Sequence, residues 1–139
     1  MTIFTKSLTL VLEGNFCVAN ITEQVRSVVQ GSGIQAGIAL VFYPHTTGAV
    51  TLVEHEAGII VDLEDVLEKV APTGHDYKHH MRGYDTNGAA HVRTALLTTS
   101  VTVPIIDSDL LLGTYQEILA INMDPDAPTR TVVVQVMGE

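Results

Sequence analysis

Apolar and polar positions along this chain alternate between a strand period and a helix period. From Thr5 to Leu12 polar and apolar residues mix in a strand-like way, Glu13-Gly14-Asn15 supplies turn chemistry, and Phe16–Ala19 is a second short extended piece. The pattern predicts an opening hairpin. Asn20 then offers a helix N-cap with Glu23 three residues on, Ile21, Val25, Val28 and Val29 share one face, and Gly31 provides the stop. Ile34–Tyr43 is so rich in Ala, Ile, Leu and Val that it reads as a central strand buried on both faces, whereas Ala49–Glu54 is more alternating.

From Gly58 to Ala71 the residues Ile59, Ile60, Leu63, Val66, Leu67 and Val70 follow helical spacing, and Pro72 ends the run. Pro72–Ala90 has no sustained period and carries Gly74, Gly83 and Gly88, so it reads as a long surface loop, a class usually kept for function. A short segment Ala89–Leu97 follows, then a strand Ser100–Ile106, a turn at Asp107-Ser108-Asp109 and a piece Leu110–Leu112. Two longer strands, Thr114–Asn122 and Arg130–Met137, are joined through Asp124-Pro125-Asp126-Ala127-Pro128. The expected architecture is one α+β domain over residues 1–139, with mixed or mostly antiparallel sheets packed against two main helices and no further helix of crossover length.

Charge narrows the partners. Seven Lys and Arg against sixteen Asp and Glu give a formal −9, which argues against nonspecific binding to nucleic acid or an anionic membrane. No apolar run nears the roughly 20 residues of a bilayer span, and no basic region followed by an apolar core opens the chain, so a cytoplasmic protein is expected. The single cysteine, Cys17, leaves any metal to His, Asp, Glu or Asn.

Candidate chemistry gathers in two places. His75, His79, His80 and His91 lie close together with Asp76, Asp85, Asn87, Lys78, Arg82 and Arg93, in a window locally positive although the chain is acidic. Imidazole is the commonest metal ligand and the natural proton shuttle near neutral pH, and an anionic small molecule suits the window better than a polymer. Exposed histidine-rich loops also occur without metals. His45 follows the apolar strand beside Thr46, Thr47 and Gly48, where hydroxyls and backbone amides can meet a phosphate. Glu54 ends the next strand and can be aimed inward as a base; Asp62 borders the apolar face of the second helix, and Cys17 reads as a small buried hydrophobe. No Gly-rich phosphate loop or dinucleotide fingerprint is present.

Taken in order, His45-Thr46-Thr47-Gly48-Ala49, Thr51-Leu52-Val53-Glu54, Tyr77-Lys78-His79, Asn87-Gly88-Ala89-Ala90-His91, Ser100–Pro104, Leu112–Gln116 and Pro128-Thr129-Arg130 resemble the secondary thiamine-phosphate synthase family, also called YjbQ-type, across essentially the whole chain. The resemblance implies a homotrimer with the histidine motifs in a pocket near the subunit interface. It implies metal or acid/base roles for His45, His79 and His91, catalytic roles for Glu54, Asn87, Gln116 and Arg130, and phosphate contacts from Thr46, Thr47, Gly48 and Arg130. The implied reaction joins a pyrimidine-methyl diphosphate to a thiazole phosphate with release of pyrophosphate, with a divalent cation, zinc or magnesium. The chain departs from the family pattern at Val53, where Asn is usual, and at Tyr115, where Trp is usual. Two other readings stand beside this one: a noncatalytic binder of a metal or phosphorylated metabolite, and a histidine loop that serves as an oligomer contact.

Overall fold

Backbone pairing sorts the extended segments into two antiparallel sheets. A computed structural model describes all 139 residues. One sheet runs in the order β1 (Thr2–Val11), β8 (Thr129–Gly138), β3 (Gly37–Phe42), β5 (Ser100–Ile106) and β6 (Asp109–Leu110); the other runs β2 (Cys17–Asn20), β7 (Glu117–Asn122) and β4 (Gly48–Val53). Three helices, α1 (Thr22–Ser32), α2 (Ala57–Val70) and α3 (Gly88–Leu97), and a 3₁₀ turn at Lys78–Arg82 complete an α+β fold. No helix is long and apolar enough to cross a membrane.

The opening hairpin does not form. β1 pairs along its whole length with β8, and β2 pairs with β7, so the Gly14 turn, at φ +110, carries the chain from one sheet to the other. Local turn chemistry was genuine, but the apolar residues of β1 and β2 find their partners at the far end of the chain. Helix α1 also runs past Gly31 to Ser32 and ends on Gly33, whose φ of +73 suits a left-handed cap. Asn20 lies just before the helix and accepts from the Thr22 amide at 3.1 Å and hydroxyl at 2.7 Å.

Layering follows from which side chains face which way. The inner faces of the two sheets share one core, with Ala39, Val41, Val103 and Val134 on one side and Val50, Ile118 and Ala120 on the other, and Val25, Val28 and Val29 of α1 join it. The opposite face of the smaller sheet packs Ala49, Ile121 and Met123 beneath Leu67 of α2 and Ala90 of α3. The order is therefore large sheet, then small sheet with α1 against the same inner core, then α2 and α3.

Two expectations change here. Strand β3 is central, but it is buried on one face only: Ala39 and Val41 are sealed while Ile38 and Phe42 are 37% and 41% exposed. The Pro72–Ala90 stretch expected to be a loop contains the 3₁₀ turn, and the short segment Ala89–Leu97 expected after it is a third helix, α3. Its inward residues are Gly88, Ala89, Ala90, Arg93 and Thr94, so it lacks the stripe of large apolar side chains that marks a helix in sequence. Helix α2 forms as predicted, with the Glu56 carboxylate accepting from the Gly58 and Ile59 amides at 2.8 Å, yet Leu67 is its one buried residue.

Gly48 fixes the junction between the layers. A Cβ there would stand 2.6 Å from the Ile121 carbonyl and 2.7 Å from the Tyr43 hydroxyl. Gly48→Ala is expected to cost about 1–3 kcal/mol through overpacking, read as a lower urea midpoint at unchanged m; an unshifted midpoint would show that Tyr43 is free to yield.

Candidate functional site

The site is built around the end of β3. Tyr43 is fully buried, and His45 meets its ring edge-on at 4.7 Å. The Thr131 backbone N–H donates to His45 Nε2 at 3.0 Å. An amide N–H can only donate, so Nε2 accepts and the ring proton sits on Nδ1; the Thr131 carbonyl, 3.1 Å from the same nitrogen, is a neighbour and not the acceptor. Burial first, and the nearby Arg130 second, lower the His45 pKa below its ordinary value.

Arg130 itself is 3% exposed. Its Nη2 donates to Thr47 Oγ1 at 2.6 Å and to Asn122 Oδ1 at 2.7 Å, and its guanidinium lies 5.9 Å from the Tyr43 ring centre. Burial pushes the Tyr43 hydroxyl up to about 12, with Arg130 opposing. Asn122 Nδ2 reaches the carbonyls of Leu12, Asp124 and Ala127 at 2.7, 3.1 and 3.0 Å. Strands from both sheets and the loop after β7 are thus tied to one amide.

Helix α3 brings in the second histidine motif. The Gly88 amide donates to His80 Nε2 at 2.9 Å, and a Cβ on Gly88 would stand 2.7 Å from Tyr77. His79 packs on His91 with ring centres 4.5 Å apart. His79 Nε2 is 2.8 Å from an Asp85 carboxylate oxygen and 3.2 Å from Asn87 Oδ1, while Asn87 Nδ2 donates to Asp124 Oδ2 at 2.9 Å. The His91 pKa is lowered by burial and then by His79; Asp85, Asp124 and the Thr46 backbone oppose the shift.

His45 and His91 line one open cleft of about 860 Å³. Phe42, Tyr43, Pro44 and Thr46 form one wall, Thr94 and Ala95 of α3 another, and the Thr98-Thr99-Ser100 turn the third. Thr98 holds a φ of 71, a conformation costly for a β-branched residue and most often retained where it shapes a site. Apart from the two imidazoles, every lining side chain is uncharged.

The other expected residues are distributed unevenly. His79 backs His91, Asn87 bonds His79, and Thr47 and Arg130 lie buried behind the cleft, so Arg130 holds the wall and does not present its charge to a ligand. Glu54 and Gln116 are elsewhere: the β4–β7 register sets Gly48 against Asn122 and Val53 against Glu117, which puts them about 20 Å away along the strands. Gln116 Oε1 accepts from the Gly113 amide at 2.8 Å. No set of three His, Cys, Asp or Glu side chains converges to hold an ion, so the donors of one chain do not fit a resident metal.

The charged window also changes character. Arg93 is 5% exposed and donates to the Ala71 carbonyl at 3.0 Å and to Glu68 at 2.6 Å, clamping the end of α2 to α3. Lys78 and Arg82 remain exposed. Sequence reasoning passed over Tyr43, Asn122 and Asp124; an Asn closing an otherwise apolar strand was the available signal for the second.

Similarity to known proteins agrees with this fold. The family model described as UPF0047 protein YjbQ-like matches residues 6–139. The protein belongs to the YjbQ/UPF0047 family. A UPF0047 protein of Archaeoglobus fulgidus is 38% identical over 120 residues, covering 86% of this chain and 90% of the relative. Another, from Methanothermobacter thermautotrophicus, is 34% identical over the whole chain and 95% of its own length. Among solved YjbQ-like folds, a protein of unknown function from Sulfolobus solfataricus P2 superposes with a TM-score of 0.94 at 28% identity, covering 99% of both chains. A hypothetical protein of Aeropyrum pernix K1 gives 0.91 at 31% identity, covering 98% of this chain and 99% of its own.

Two outcomes follow. Asn122→Leu strips the buried Arg130 of an acceptor and is expected to cost about 3–5 kcal/mol in urea unfolding; a loss below about 1 kcal/mol would show that the amide is dispensable. Hydrogen bonds from Thr73, then Arg93, hold the Glu68 carboxyl below its ordinary 4.5. A depressed carboxyl stabilises the fold above its unfolded pKa and loses that contribution as pH falls through the folded value. The melting-temperature gap between wild type and Glu68→Gln should therefore be present at pH 7 and close on acidification below the ordinary value; a constant gap would contradict the assignment.

Proposed function

We propose that this cleft is the active site of a thiamine-phosphate synthase-like transferase. A thiazole-phosphate nitrogen attacks the methylene carbon of a pyrimidine-methyl diphosphate; the new C–N bond forms as the C–O bond breaks and pyrophosphate leaves with the electron pair. The observation that carries the reading is that His45 and His91, far apart in sequence, line the same cleft.

Such a displacement asks two things of a protein: the rings held in line, and the leaving charge met by fixed donors. Phe42, Pro44 and Ala95 offer apolar surface for a ring, and Thr46 and Thr94 offer hydroxyls. The neutral His45 can donate from Nδ1 to a phosphate oxygen, its orientation fixed by the Thr131 amide. Lys78 and Arg82, on the same 3₁₀ turn as His79, supply exposed cations for a phosphorylated substrate. Arg130 is a positioning residue that acts through Thr47. The homotrimer implied by the family resemblance gives Glu54 and Gln116 a route to the chemistry, because a second copy can bring its own far end of β4 to the cleft of the first.

His45→Ala and His91→Ala are each expected to slow pyrophosphate release from the two substrates by about 10²–10⁴-fold while leaving the far-ultraviolet circular dichroism spectrum unchanged. Full activity in the double variant would reject the assignment. Tight binding of phosphorylated heterocycles without turnover would reject the enzyme and leave a noncatalytic metabolite binder in its place.

A further inference from the structure

One backbone conformation in the cleft wall is at odds with its residue type. Thr98, which follows the last residue of α3, stands at φ 71 and ψ 168, a region that glycine alone occupies without strain. The chain does put glycine at other positive-φ positions, Gly14, Gly33 and Gly83. Two more residues with positive φ, Asp107 and Ser108, are short polar side chains in a turn. Thr98 alone combines positive φ with a branched Cβ, the case that is a true outlier.

The fold demands the bend but not the threonine. The Thr98 N–H donates to the Thr94 carbonyl at 2.9 Å, closing the helix, and the Tyr43 N–H donates to the Thr99 carbonyl at 2.7 Å, leading into the pairing of β3 with β5. Backbone groups make both bonds, and glycine would make them equally well. The Thr98 side chain is exposed, so it fills no part of the core, and its hydroxyl has no partner in the chain. What it does border is the cleft that holds His45 and His91.

No carboxylate lines that cleft, although the chain carries sixteen Asp and Glu. A cationic ligand would call for them; this wall presents N–H and O–H donors instead. The Thr99 N–H finds no acceptor within the chain, the hydroxyls of Thr99 and Ser100 are as free as that of Thr98, and His45 keeps its ring proton on Nδ1. Thr94 differs, because its hydroxyl already donates to the Ala90 carbonyl at 2.8 Å. Converging donors with no anionic neighbour suit an oxyanion. The family resemblance assigned phosphate contacts to Thr46, Thr47, Gly48 and Arg130, but Thr47, Gly48 and Arg130 are buried.

We propose that the Thr98-Thr99-Ser100 turn is the phosphate subsite of the cleft, and that Thr98 is retained in a strained backbone because its hydroxyl is one of the phosphate donors. This inference rests on the phosphorylated substrate of the proposed function and names the wall that receives it.

Calorimetric titration with inorganic pyrophosphate and thermal melting of the same variants test it. Thr98→Gly relieves the backbone and removes the hydroxyl: without ligand it is expected to melt about 2–8 °C above wild type, yet to bind pyrophosphate at least about 10-fold more weakly. Thr98→Ser keeps the hydroxyl and should keep most of the affinity. The proposal is overturned by Thr98→Gly binding like wild type or melting below it, by Thr98→Ser binding as weakly as Thr98→Gly, or by a wild type that does not bind pyrophosphate. The enzyme reading fails separately. Binding that is lost in Thr98→Gly, with no turnover by the wild type, leaves the phosphate subsite standing without a transferase; turnover with KM unchanged in Thr98→Gly does the reverse.

Discussion

Burial of the Arg130 guanidinium is the constraint on which the rest of the site depends. Placing a cation in the interior costs several kcal/mol unless oxygen acceptors surround it, and the acceptors here come from different parts of the chain. Thr47 reports the position of the loop after β3, Asn122 the end of β7. Asn122 in turn holds the carbonyls of Leu12 and Ala127 and accepts from the Asp124 amide. From Asp124 the connection continues through Asn87 to His79. A single path of polar contacts thus links the two sheets, the histidine loop and the wall of the cleft, and at its buried end, through Thr47, Arg130, Asn122 and Asp124, removing a side chain leaves a buried polar group without its partner.

The same arrangement sets the electrostatics. Arg130 is too deep to bind an anion, but its charge adds to burial in keeping His45 neutral. His91 reaches the same state by another route, through burial and the neighbouring His79. Two neutral imidazoles with fixed neighbours can donate or accept a proton without first losing a charge. The geometry separates roles that sequence motifs had merged, since the histidines meet an open cavity while the motif arginine and Thr47 stand behind it.

Much of the fold was legible in the chain. The strands β3, β4, β5, β7 and β8 and the helices α1 and α2 each carry a period that survives in the structure. What failed was partner choice and weak periodicity: the Glu13-Gly14-Asn15 turn cannot disclose that β1 pairs with β8 across the length of the chain, and α3 presents Gly and Ala inward where a helix normally announces itself with Leu or Val. In the candidate site, residue type singled out His45 and His91, which line the cleft, and His79 and Asn87, which lie behind His91. The site was not legible at Tyr43 and Asn122, which matter through burial, or at Glu54 and Gln116, whose distance from the histidines depends on the register of β4 against β7. The double-sided hydrophobicity of β3 was read as burial on both faces, whereas Ile38 and Phe42 leave its second face open.

The central claim is that His45 and His91 face one ligand cavity while the remaining histidines do not. Imidazole resonances followed by NMR during titration with inorganic pyrophosphate test it most directly. The account predicts concerted, saturable shifts of His45 and His91, with His55 and His75 unmoved; shifts confined to His55 and His75, or none at His45 and His91, would contradict it.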